Sequence, residues 1–106
     1  MIVYIAGKVT GDPDCLKKFA DAEKAVKGLD FDVINPAAVC ASLPKSFSWR
    51  DYMEITHKLL LRADAVAYLP DWKESPGTCI ELGFAYAIGK YLIPIADYEL
   101  LVNRKG

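Results

Sequence analysis

The stretch Ala65–Gly89, AVAYLPDWKESPGTCIELGFAYAIG, decides the fold. Its first five residues, Ala65 to Leu69, are apolar throughout, which predicts a central strand buried on both faces. Pro70 to Glu74 reads as a loop. Ser75-Pro76 then pairs an N-cap residue with proline at the first helical position, and the helix it opens stops at Gly89. Beyond it, Tyr91 to Ile95 is a further strand, and Pro94 marks it as an edge.

The same alternation extends upstream. Ile2 to Ile5 is a short apolar run ending at Gly7, followed by the loop Gly7 to Gly11. Asp12 before Pro13 reads as another cap with proline, and Cys15, Leu16, Phe19, Ala22 and Val26 recur at helical spacing until Gly28 supplies the stop. Phe31 to Asn35 alternates as a strand that Pro36 ends. Ala37 to Phe47, with Pro44 and two serines, reads as a loop holding one helical turn at most. Ser48 with Asp51 forms a capping-box pattern, and Tyr52, Ile55, Leu59 and Leu60 continue it as an amphipathic helix ending near Ala63. The last ten residues are expected to add a final half-turn.

The order β-α-β-α-β-α-β predicts an α/β fold with a parallel sheet of about four strands and helices on both faces. Ligands of such sheets sit at the carboxyl ends of the strands, where strand order reverses. With the first and third strands flanking that point, as in the flavodoxin-like order, the loops Gly7 to Gly11 and Leu69 to Thr78 line the crevice.

Composition narrows the function. The chain has 106 residues, 53% of them hydrophobic, and a formal net charge of -1, so one ordered domain over 1–106 is expected. This balance argues against a nucleic-acid polymer as partner. No secretory signal or membrane span is visible. Cys15, Cys40 and Cys79 form no C-x-x-C, and with a single histidine they make no metal set. They read as reduced thiols of a cytoplasmic protein, Cys79 as a small buried hydrophobe.

The chemistry centres on Glu81. The helix segment Cys79–Ile88 is apolar almost all round, so it is expected to be buried, and Glu81 is its one charge. Burying an unpaired carboxylate costs on the order of several kcal/mol. A dipole-complementing glutamate is the plain alternative. Ser75, Thr78 and Glu81 are spaced by three, however, and so share a helix face that begins at the crevice. A carboxylate set among free N–H groups and hydroxyls is a candidate nucleophile.

Other candidates surround it. The helix start offers N–H groups to an anion, with Gly77 allowing close approach. The loop from Gly7 through Lys8 and Thr10 to Gly11 sits where phosphates commonly bind, although it matches no P-loop or dinucleotide pattern. Tyr4 needs a partner for its hydroxyl near the crevice. Trp49 and Trp72 flank the crevice as possible stacking surfaces or packing residues, while His57, Glu54 and Asp71 compete as proton donors.

The runs Tyr4-Ile5-Ala6-Gly7, Thr10-Gly11, Asn35-Pro36-Ala37, Asp64-Ala65, Leu69-Pro70-Asp71-Trp72, Ser75 to Gly83 and Gly89-Lys90 together resemble the nucleoside 2-deoxyribosyltransferase superfamily, most specifically from Ser75 to Lys90. The resemblance is closest to its short phage and bacterial branch, related to the 2'-deoxynucleoside 5'-monophosphate N-hydrolases. It implies a Rossmann-like fold, no cofactor, a small-molecule nucleoside or nucleotide substrate, and a homo-oligomer. It implies that Glu81 attacks the sugar's anomeric carbon, with Tyr4 orienting it, in the two-step logic of retaining glycosidases.

Two departures from the transferase pattern stand out. Ser75 occupies the place of a transferase aspartate, as serine does in the N-hydrolases, where it holds the 5'-phosphate. Thr56 occupies the place of the proton-donating aspartate, so protonation of the leaving base falls to His57, Glu54, Asp71 or water. General-acid help is typically worth about 10²–10⁴-fold. The expected function is therefore N-glycosidic cleavage of a deoxynucleotide. Base exchange and non-catalytic nucleotide binding are the alternatives. Asp97 to Gly106 is the segment left to complete a neighbouring subunit's site.

Overall fold

The computed structural model describes residues 1–97. The closing half-turn and subunit-completing tail expected over 97–106 lie, apart from Asp97, outside the described residues. Four strands, β1 (Ile2–Ala6), β2 (Asp32–Ile34), β3 (Ala65–Tyr68) and β4 (Tyr91–Pro94), form one parallel sheet in the order β2-β1-β3-β4. The helices between them are α1 (Cys15–Lys27), α2 (Pro36–Ala41), α3 (Trp49–Arg62) and α4 (Pro76–Ala87). This is the expected α/β architecture, with strand order reversing between β1 and β3.

The alternation of β1 builds both layers. Val3 and Ile5 face Phe19, Ala22 and Val26 of α1, while Tyr4 and Ala6 face Leu60 of α3 and Leu82 and Ala85 of α4. Phe19, Val26 and Leu60 are fully buried, each contributing roughly 1.5–3 kcal/mol of transfer free energy. In β3, Ala65, Val66 and Ala67 are buried on both faces, as a central strand requires.

Several local expectations are corrected. Helix α1 begins at Cys15 rather than Pro13, because Asp12 accepts from the Asp14 N–H at 2.9 Å and pairs with Lys18 instead of capping the helix. Gly28 stays right-handed at φ -61°, and the left-handed residue after the helix is Asp30 at φ 66°. Residues 36–41, expected as part of a loop, form α2: Asn35 accepts from the Ala38 N–H at 3.1 Å and Pro36 opens the first turn.

Helix α4 is buried on one side only. Gly77, Thr78, Glu81, Leu82 and Ala85 face the sheet and cavity, whereas Ile80 and Tyr86 are 47% and 77% exposed and Cys79 is open to solvent. The helix forms the outer layer of the described residues, so its apolar composition does not translate into burial all round. Among the described residues, no helix is long and apolar enough to cross a membrane.

Candidate active site

At the strand-order reversal, β1 runs into Gly7, which is held tightly against the end of β3. A Cβ on Gly7 would lie 2.6 Å from Leu69 Cδ1, and the Leu69 N–H donates to the Ala6 carbonyl at 2.8 Å. The Thr78 hydroxyl donates to the Gly7 carbonyl at 2.8 Å, fastening the first turn of α4 to the end of β1. Ser75 caps that turn by accepting from the Thr78 N–H at 3.2 Å. The helix N-terminus therefore opens onto the crevice, and Glu81 lies one turn further in.

Glu81 is 7% exposed, and the Tyr4 hydroxyl donates to one of its carboxylate oxygens. Thr56 of α3, also buried on the cavity wall, donates its hydroxyl to the Met53 carbonyl at 3.3 Å and eases the ionisation of Glu81. Burial pushes the Glu81 carboxyl above the ordinary carboxylate value, against the opposing effect of those two hydroxyls. Burial also drives Tyr4 well above the usual phenol value, as does the adjacent carboxylate, so Tyr4 remains a donor. Cys40 is raised by burial and by the charge of Glu81.

These groups line a cavity of about 310 Å³. Tyr4, Thr56, Ser75, Thr78 and Glu81 supply its polar lining, with Gly7, Thr10 and Gly77 also on the wall. Apolar and aromatic side chains close the rest: Val9, Leu16, Cys40 of α2, and Trp49, Tyr52 and Met53 of α3. Gly77 allows this closure, since a Cβ there would meet Met53 Sδ at 3.3 Å and Trp49 Nε1 at 3.6 Å. A neighbouring hollow of about 340 Å³ brings Lys8 and Thr10 beside Ser75 and Gly77 at the helix N-terminus, with the Glu74 carboxylate also on its rim. The whole arrangement can hold an anion at the helix start and present a desolvated carboxylate deeper in.

Not every expected residue reaches the cavity. His57 packs on the Phe84 ring at 4.9 Å between centroids, and its buried Nε2 has no hydrogen-bond partner among the described residues. It sits on the face of α3 turned to α4 and is not part of the cavity lining. Asp71 also lies outside the lining. It pairs with Lys18 and accepts from the Lys8 N–H at 3.2 Å, which anchors the loop. Glu54 is exposed beside Arg50 on the outer side of α3, and Gly11 occupies a left-handed turn at φ 77° away from both hollows. Trp72 packs edge-on against Tyr68 at 5.8 Å and does not line the cavity, whereas Trp49 does.

Tyr52, Met53, Leu16 and Cys40 are among the lining residues to which the sequence pattern assigns no binding role. Tyr52 and Leu16 belong to stripes that periodicity alone reads as core. The cap-plus-proline pair Asn35-Pro36, the same signal that opens α4, marks the helix carrying Cys40.

The family model described as Domain of unknown function (DUF4406) matches residues 1–94. The chain belongs to this family. The matched range of this DUF4406 member includes every cavity residue named above. No curated protein matches it. A solved structure of the 2-deoxyribosyltransferase from Bacillus psychrosaccharolyticus is similar, with a TM-score of 0.69 and 21% identity over 87% of this chain and 69% of that one. At that identity the likeness establishes a shared fold.

Proposed function

We propose that the chain is an N-glycosidase acting on a 2'-deoxynucleoside 5'-monophosphate, with Glu81 as nucleophile. The observation that carries this reading is the buried Tyr4–Glu81 pair lining a cavity behind a helix N-terminus. The solved transferase with the same fold supports the substrate class. In the first step a Glu81 oxygen bonds to the anomeric carbon while the C–N bond breaks, its electron pair leaving with the base. Water then attacks the anomeric carbon and frees Glu81. The α4 N-terminus, Ser75 and Lys8 receive the 5'-phosphate. Ser75 in place of a carboxylate favours this charged substrate over base exchange on an uncharged nucleoside.

Two further parts belong to the reading. The exposed apolar residues Ile80, Tyr86 and Ile88 of the α4 region support assembly into a homo-oligomer. Free Cys15, Cys40 and Cys79 suit the reducing cytoplasm.

Chromatography of deoxynucleotides incubated with the chain tests the reaction. The expected result is free base and deoxyribose 5-phosphate, with Glu81→Ala inactive. Undiminished release by Glu81→Ala would sink the mechanism. Thermal stabilisation by nucleotides without base release would leave a binding module.

A further inference from the structure

We propose that the preferred substrates are 2'-deoxynucleoside 5'-monophosphates whose base already carries a positive charge, as an N7-alkylated purine does. The inference rests on the N-glycosidase reading and narrows its substrate.

The first support is the charge of the cavity. Among the described residues, Glu81 is the charged side chain on its lining, and every other lining residue is neutral. The nearby cations are engaged or displaced: Lys18 pairs with Asp12 and Asp71, and Lys8 lines the outer hollow. A desolvated carboxylate without a cationic partner attracts a cationic ligand more strongly than water would allow. Burial raises the Glu81 carboxyl, and what opposes that rise comes from the Tyr4 and Thr56 hydroxyls.

The second support is the α3 wall. Trp49, Tyr52 and Met53 bring two aromatic rings and a thioether to the cavity. Flat cations gain from such rings beyond ordinary packing.

The third support is the leaving group. A neutral purine departs as an anion unless an acid protonates it. Tyr4 and Cys40, which face the cavity, are held protonated by burial and by Glu81, and so are poor proton donors. An N7-alkylated purine needs no proton. As a Glu81 oxygen bonds to the anomeric carbon, the C–N9 electron pair flows into the ring and cancels its charge, and the base leaves neutral. Water then bonds to the anomeric carbon, Glu81 departs as carboxylate, and the water's proton passes to solvent.

The test compares N7-methyl-dGMP with dGMP near neutral pH, each corrected for spontaneous release. The expected kcat/KM ratio is about 100 or more in favour of the methylated substrate, the scale of the missing acid. Because that substrate is intrinsically labile, binding is measured separately with 2'-fluoroarabino analogues of both, which resist cleavage. The cationic analogue should bind about tenfold more tightly to the wild type, with a smaller preference in Trp49→Leu and the smallest in Glu81→Gln, where the aromatic wall alone remains. Equal binding by the wild type, or a preference undiminished in Glu81→Gln, overturns the proposal even while dGMP is cleaved and the glycosidase reading stands. Release of base from neither substrate overturns that reading and the proposal with it.

Discussion

The Tyr4 hydroxyl donates to the Glu81 carboxylate across 77 positions of sequence, joining the first strand to the last described helix in the middle of the cavity. This contact orders the proposed nucleophile and resists the full effect of its burial. Tyr4→Phe removes the donor, so the Glu81 carboxyl rises further. The acid limb of the kcat/KM profile should move to higher pH. At neutral pH the loss should be about tenfold or more, matching a lost hydrogen bond to a charged group of about 1.5–3 kcal/mol.

Glu81 also sets a stability trade-off. Its carboxyl is raised in the folded protein, so the native state holds that proton more tightly than the unfolded chain. The associated stability is complete below the unfolded value and is lost as pH rises through the raised folded value. Glu81→Gln abolishes that loss. Melting curves should show the variant more stable than wild type at neutral pH, by about 4–8 °C for each kcal/mol gained, with the two converging in acid.

The tie between α4 and β1 is a stability element. Thr78→Val keeps the shape of the side chain but leaves the Gly7 carbonyl without its donor. Denaturant titration should show a loss of about 1–3 kcal/mol.

Ser75 is predicted to act twice. Ser75→Ala removes the cap on α4, costing about 1 kcal/mol of stability. If the 5'-phosphate docks at this helix start, KM for a deoxynucleoside monophosphate should rise about tenfold while that for the corresponding deoxynucleoside stays unchanged. Steady-state kinetics on the two substrates reads the difference.

Much of this arrangement is legible in the residues themselves. The apolar runs of β1 and β3 and the Ser75-Pro76 start carry the architecture, because strand burial and helix capping are local effects. The shared face of Ser75, Thr78 and Glu81 follows from helical spacing, and all three line the cavity. Relations across elements are less visible. His57 and Thr56 are neighbours on α3, yet only rotation about the helix axis decides that Thr56 reaches Glu81 while His57 turns to Phe84. The exposed side of α4 escapes a reading from composition, since an apolar helix is buried only where another layer covers it. Asn35-Pro36 reads equally well as the end of a strand and the start of α2, and the local pattern does not separate them.

Mass spectrometry of a trapped intermediate asks directly whether Glu81 forms the bond to the sugar. A 2'-fluoroarabinonucleoside 5'-monophosphate should be attacked but released slowly, leaving one sugar phosphate on the protein. That mass is expected on the peptide containing Glu81, in wild type and not in Glu81→Gln. An adduct on a different residue, or base release from deoxynucleotides that persists in Glu81→Gln, would contradict it.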